Sequence, residues 1–227
     1  MAAGTPGAPR VGEAARAHAL AALRQAILSG DVGPGQRLVE EELAGTLGVT
    51  RQSLRAALLD LTAEGLVERI PNRGARVRVV STEEAVAITE CRMALEALCA
   101  VKAAERITDD EAAQLRELGE SLKRAVAEGD PLKYSELNRE LHRRVGVISG
   151  QAVAVGLLER LHAQLVRHQF QLALRPGRPE VSLPEHLAIA HAVAGRRPAD
   201  ADRAVRAHLA SVIEALRADN ASVRFPS

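Results

Sequence analysis

Apolar residues recur at helical spacing through most of the chain, and the places where that rhythm fails divide it into segments. Leu20, Leu23, Ile27 and Leu28 mark an apolar face over residues 13–29 that stops at Ser29-Gly30, a helix terminus. Val32-Gly33-Pro34-Gly35 reads as a turn, Arg37-Leu38-Val39 as a short edge strand, and residues 40–47 as a helix ending at Gly48. Thr50 suits the N-cap of a further helix running to Gly65. In that helix Leu54, Leu58 and Leu61 share one face, while Arg51 and Arg55, one turn apart, share another. Leu66–Ile70 and Ala75–Val80 then read as two strands around the turn Pro71-Asn72-Arg73-Gly74, which puts a cation at its tip. A helix that opens with arginines, followed by a charged hairpin, predicts a winged helix-turn-helix and therefore contact with DNA.

Ser81-Thr82-Glu83-Glu84 marks a new start, with a hydroxyl cap and acids in the first turn. From here the pattern predicts helices over 83–106, 109–128, 131–149, 151–174, 183–195 and 199–218, with the longest break at Arg175–Pro184. The fold class expected is mainly α: a winged helix-turn-helix over 13–80, an all-α six-helix bundle over 81–220, and flexible tails at 1–12 and 221–227.

Composition narrows the picture. The 227 residues have room for two modest domains, and 47% hydrophobic residues suffice for packed cores. Aromatics make up 1% and Trp is absent, so the core must be built of Ala, Leu and Val, a mixture that favours helix. A net charge of +1 excludes a uniformly basic nucleic-acid binder. Charge is nonetheless uneven: residues 1–50 carry four Arg against five acids, and residues 51–80 six Arg against three. The basic excess falls on the predicted recognition helix and hairpin, as attraction to phosphate requires. Cys91 and Cys99 would be about 12 Å apart along one helix, too far to bridge each other. No apolar run nears the roughly 18 residues of a membrane span, and MAAGTPGAPR lacks a signal peptide's apolar segment. A reduced, cytoplasmic setting is expected.

Candidate chemistry lies in the bundle. Asn138 and His142 are four residues apart, so their side chains leave one helix face about 6 Å apart. His186 lies near the start of a later helix and His208 on the last. Imidazoles from separate helices can converge in a bundle and ligate a first-row metal. Read from spacing alone, such histidines are more often ordinary bundle residues than ligands. His18, His162, His168 and His191 are read as surface or structural, and Arg139 and Arg143 as solvated. The absence of a His-Glu-x-x-His motif, a P-loop and a serine nucleophile elbow argues against a hydrolase. Glu185, beside His186, is read as supporting that histidine or as solvated.

Fixed motifs add a resemblance. The Leu20…Ile27…Gly30 helix, Gly35-Gln36-Arg37-Leu38, Glu42-Leu43-Ala44…Leu47-Gly48-Val49-Thr50-Arg51, Leu54-Arg55…Leu58, Leu61…Glu64-Gly65-Leu66-Val67 and Asn72-Arg73-Gly74…Val77 resemble the GntR family of bacterial transcription regulators. Arg92…Leu95-Glu96 and the histidines resemble its FadR-type subfamily, which carries an all-helical FCD effector domain. Six predicted helices there look like the shorter, VanR-like form. The resemblance implies DNA contacts at Thr50, Arg51, Gln52, Ser53, Arg55, Arg73 and Gly74, with Glu41 standing where some relatives carry an arginine. It implies a divalent ion (zinc, nickel or manganese) held by Asn138, His142, His186 and His208. Family members commonly have Asp at the first of these positions, and a neutral amide is the weaker ligand. Arg92 matches an arginine that can clamp a carboxylate effector; the alternative is a surface ion pair with Glu96. The implied function is a homodimeric regulator, usually a repressor, on a pseudo-palindromic operator in double-stranded DNA. Two other readings are a metallohydrolase fused to a DNA-binding domain and an architectural DNA binder with a purely structural bundle.

Overall fold

Small residues decide how the first helix packs. In α1 (Gly12–Ser29) every fourth residue is buried, namely Ala15, Ala19, Leu23 and Ile27, whereas Leu20 and Leu28 are only half-buried. The two alanines let the α1 backbone approach its neighbour closely, and that neighbour is α3 (Arg51–Ala63). The computed structural model describes residues 10–70, 74–166, 168, 172 and 175–223. They fall into two compact units, one up to Val80 and one from Ser81.

In the first unit, α2 (Glu40–Leu47) and α3 are joined by Gly48, whose φ of +62° closes the turn. Thr50 caps α3 as expected, with its Oγ1 accepting from the Ser53 amide at 3.2 Å. The buried face of α3 is Ser53, Leu54, Ala57, Leu58 and Leu61. Two carboxylates fix α1 to it: Asp60 accepts from Arg16 Nε and Nη2 at 2.7 and 2.6 Å, and Glu64 from Arg24 Nε at 2.9 Å. Strands β1 (Arg37–Leu38), β2 (Val67–Ile70) and β3 (Gly74–Val77) form an antiparallel sheet in the order β1-β3-β2. Val67 faces Val77, Ile70 faces Gly74, and Leu38 faces Ala75. Strand β3 ends three residues before the expected Val80. Of the hairpin turn, Pro71, Asn72 and Arg73 lie outside the described residues.

Order begins earlier than a flexible tail through residue 12 would allow. The Arg10 amide donates to Gly48 O at 2.8 Å, and the Thr50 amide donates to Arg10 O at 3.0 Å. These bonds satisfy backbone groups at the α2–α3 turn that periodicity could not reveal.

The second unit contains, among the described residues, α4 (Thr82–Arg106), α5 (Asp109–Ala127), α6 (Pro131–Ser149), α7 (Ala152–Gln164), α8 (Arg178–Ala194) and α9 (Pro198–Val223). Ser81, Thr108 and Asp130 cap α4, α5 and α6, with Thr108 and Glu111 completing a capping box. The core is alanine-rich around Leu115, Leu122, Leu141, Ile189 and Leu209, and α4 packs most extensively on α9 and α6. Three boundaries differ from expectation. Helix α7 stops at Gln164 rather than 174, where Leu165 leaves helical geometry and donates back to His162 O at 3.0 Å. Helix α8 starts at Arg178 rather than 183 and runs through Pro184. An interior proline costs about 3 kcal/mol, but α8 buries Ser182, His186, Ile189, Ala190, Ala192, Val193 and Ala194, which offsets the lost bond. Helix α9 continues through Val223, into the segment expected to be a tail.

Candidate functional site

Helix α6 carries Tyr134, Asn138 and His142 at successive four-residue steps, and all three look into the bundle. Helix α8 brings Ser182, Glu185 and His186 to the same place, and α9 brings His208. The ligand atoms of His142, His186 and His208 lie within 4.8 Å of one another. The His186 and His208 rings are 4.3 Å apart between centroids, and His142 lies 5.5 and 5.4 Å from them. His186 and His208 are buried, at 1% and 4% exposure.

Each imidazole has its Nδ1 engaged by an oxygen. His208 Nδ1 meets Glu185 Oε2 at 2.9 Å, and His186 Nδ1 meets the Tyr134 hydroxyl at 2.7 Å. His142 Nδ1 lies 2.9 Å from Glu96 Oε2 on α4, an ion-pair approach out of line for a full hydrogen bond, since Oε2 takes no hydrogen-bond partner. The direction of the Tyr134 chain can be worked out from its far end. Ser182 Oγ donates to Arg178 O at 3.0 Å, so it accepts from Tyr134 at 2.8 Å. The tyrosine oxygen is then free to accept from His186 Nδ1–H. His186 Nε2 therefore presents a lone pair, and that atom is buried with no hydrogen-bond partner. Asn138 Oδ1 is likewise buried and unpartnered.

Electrostatics favour the same protonation states. Burial, then His208 and His142, hold the His186 pKa well below the usual imidazole value. Burial also lowers His208, although Glu185 pulls the other way. Both rings are thus neutral near pH 7, with lone pairs available. Burial pushes the Tyr134 phenol up to about 12, so it keeps the proton it gives to Ser182. Burial would raise the Glu96 carboxyl, but Arg92 and His142 outweigh it and keep it well below the normal range.

Arg92 lies inside the bundle, 5% exposed. It does form the four-residue pair with Glu96, Nε to Oε1 at 2.9 Å, but both side chains are buried at 6% exposure rather than on the surface. His162, read as surface or structural, belongs to the same cluster: its Nε2 lies 3.2 Å from Glu96 Oε1. Glu185 is occupied by His208 and approached by Arg178 at 3.8 Å, which leaves it poorly placed as a hydrolytic base. The donor set suits a metal ion: imidazoles approached at Nδ1 by oxygens, with His186 Nε2 and Asn138 Oδ1 buried and without hydrogen-bond partners, resemble the way histidine metal sites are built.

In the first unit, Arg51, Gln52 and Arg55 are exposed on α3 and Thr50 is half-buried at its N-terminus. Ser53 is 6% exposed and turned inward under Thr50, with the two hydroxyls 3.0 Å apart, which removes its side chain from the surface expected to meet DNA. Gly74 opens β3 with φ +84°; Arg73 lies outside the described residues. Both arginines are already paired with α2, Arg51 Nη2 with Glu41 Oε1 at 2.5 Å and Arg55 Nε with Glu40 Oε2 at 2.6 Å.

A helix-turn-helix with a strand hairpin in one unit, and an all-helical second unit, are the architecture of a DNA-binding transcription regulator. The sequence profile described as bacterial regulatory proteins, gntR family, matches residues 15–77, and that of the FCD domain matches residues 87–211, more than half of the chain. The chain belongs to the GntR family of bacterial transcription regulators, in the group with an FCD effector domain; it is a regulator, not an enzyme. It is similar to the HTH-type transcriptional repressor RspR of Escherichia coli strain K12, 28% identical over 195 residues and covering 86% of each chain. It is 32% identical over 179 residues to the Nta operon transcriptional regulator of Aminobacter aminovorans, covering 78% of this chain and 82% of that protein. Among solved structures, E. coli McbR/YncC superposes with a TM-score of 0.75 at 21% identity, over 93% of this chain and all of that one, a likeness of fold. Among the described residues, no helix is long and apolar enough to cross a membrane.

Proposed function

We propose that this regulator is a repressor whose operator binding is set by a small carboxylate, and that this effector is bound beside a divalent ion in the second unit. His142, His186, His208 and Asn138 would hold the ion, and zinc, nickel and manganese all accept such donors. The ion supplies positive charge, and Arg92 adds a second cation reached through Glu96. The observation that carries the reading is the pair of orphaned buried acceptors, His186 Nε2 and Asn138 Oδ1, beside imidazoles whose other nitrogens are already engaged. Because the amide brings no charge, an anionic effector would supply the negative charge missing from the ligand set. The repressor assignment draws on the similarity to the repressor RspR.

Thr50, Arg51, Gln52, Arg55, Arg73 and Gly74 are the proposed DNA contacts, with arginine suited to guanine O6 and N7. One winged helix covers too little DNA for tight selective binding, so the functional species is a homodimer on two half-sites. Exposed Leu98 on α4, and Val153 and Leu157 on α7, are apolar positions on two helices that pack together, and they suit contact with a second copy.

Calorimetric titration of zinc, nickel and manganese into chelator-treated protein tests the ion. A second titration with small carboxylates, with and without metal, tests the effector. Saturable heat with at least one metal, and tighter carboxylate binding in its presence, are expected. An absence of metal heat would leave the histidines structural and overturn the metal-dependent effector site.

A further inference from the structure

The helix-turn-helix is not where the positive charge of this DNA-binding unit sits. Residues 40–58 contain three glutamates, at 40, 41 and 42, against Arg51 and Arg55. Residues 67–78 contain four arginines against Glu68. The hairpin carries the attraction to phosphate, and the recognition helix meets DNA with its arginines already counter-charged.

That counter-charge is specific in geometry. Glu41 reaches from the first turn of α2 to Arg51 Nη2, and Glu40 reaches Arg55 Nε. Glu41 is 77% exposed and Arg51 58%, so the pair stands at the surface. Glu40 is less open, at 21%, beneath an Arg55 that is 61% exposed. Each guanidinium has five N–H donors, and each pair leaves donors for a base edge. A guanidinium tethered at one nitrogen loses less rotamer freedom when the others meet guanine.

We propose that Glu40 and Glu41 are specificity-determining residues, holding Arg55 and Arg51 for base-edge readout while repelling the phosphate backbone. The inference rests on the reading that these two arginines contact bases. On unrelated DNA, the arginines gain only phosphate, and the carboxylates paired with them oppose the approach. On a matching site, the carboxylates stay paired and the remaining donors read the base. The same two side chains thus weaken the wrong complexes and preorganise the right one.

The test uses the full chain, a duplex it enriches from a random pool, and an unrelated duplex of equal length, at matched salt. Glu40→Gln/Glu41→Gln keeps the shape and removes the charge. Binding to the unrelated duplex is expected to tighten about fivefold per carboxylate neutralised, the size of a contact-range charge interaction in water. Binding to the enriched duplex should change less than twofold, so the ratio between the duplexes falls. Glu41→Ala removes the tether as well and should also weaken the enriched duplex. Equal change on both duplexes in the Gln variants would overturn the proposal, because the glutamates would then be acting as general charge alone. The single Glu41→Gln variant, at the more exposed position, gives the same readout if the double variant folds poorly. Arg51→Ala and Arg55→Ala separate the two levels. Loss of the enriched duplex with an unmoved Gln ratio defeats only the glutamate role, whereas unchanged binding in the arginine variants defeats the base-reading premise along with it.

Discussion

Glu185 Oε2 lies 2.9 Å from His208 Nδ1, and the next residue in the chain, His186, shares the pocket with that histidine. One turn of α8 therefore supplies one imidazole and fixes the orientation of another that comes from α9. Removing the orienting carboxylate should loosen the ion without touching a ligand. Glu185→Ala is expected to lower metal affinity about 10–100-fold, the usual effect of losing such a partner. Competition against a fluorescent chelator measures it, and a change below threefold would mean that His208 needs no help from Glu185.

Asn138 Oδ1 is buried without a hydrogen-bond partner one turn before His142, and it is the proposed fourth donor. Asn138→Asp should tighten the ion, since it adds negative charge to the proposed donor set. Without metal, the same substitution leaves a carboxylate in a partly buried site and should lower the melting temperature. Thermal melts with and without metal should thus move in opposite directions relative to wild type. Parallel shifts would put Asn138 outside the ion's reach.

On α3, the two exposed arginines should show their value only on a matched sequence. Arg51→Ala or Arg55→Ala is expected to cost about 1–3 kcal/mol on a selected duplex and less on random DNA. Fluorescence anisotropy at fixed salt gives both numbers. A selected-duplex affinity within twofold of wild type would remove the residue from the reading surface.

Asp60 gives the DNA-binding unit a pH-dependent clasp. Its hydrogen bond with Arg16 holds the carboxyl below its ordinary value. A carboxyl depressed in the folded state stabilises the fold above its unfolded pKa of about 3.9, and that contribution is lost as pH falls through the folded value. Asp60→Asn should therefore melt earlier than wild type at pH 7, with the gap narrowing from pH 5 toward pH 3. A gap constant across that range would show that the pair contributes by geometry alone.

The architecture was legible wherever periodicity and punctuation agreed. Thr50, Gly48 and Ser29-Gly30 mark their helix ends in the sequence because caps and left-handed turns demand particular residue types. Pro184 misled for the opposite reason: a proline reads as a stop, but burial on either side of it carries α8 through. Starting α8 five residues late also hid Ser182, which is one turn before His186 and belongs to its hydrogen-bond chain. The four-residue step from Tyr134 to Asn138 to His142 was available in the sequence and would have found the tyrosine. Glu96 and His162 could not be paired that way, because they come from different helices and meet only through packing. The ion pairs from Glu40 and Glu41 to α3 were hidden for the same reason: they cross a turn whose geometry, not spacing, sets the distance.

Arg10 offers a handle on all of this. Its backbone is tied to Gly48 and Thr50 while its side chain stays exposed. A fluorophore on a cysteine placed at position 10 would ride on the N-terminal end of the recognition helix. Docking of DNA onto α3 would change the dye's surroundings directly, so the regulator could report its own operator occupancy in real time.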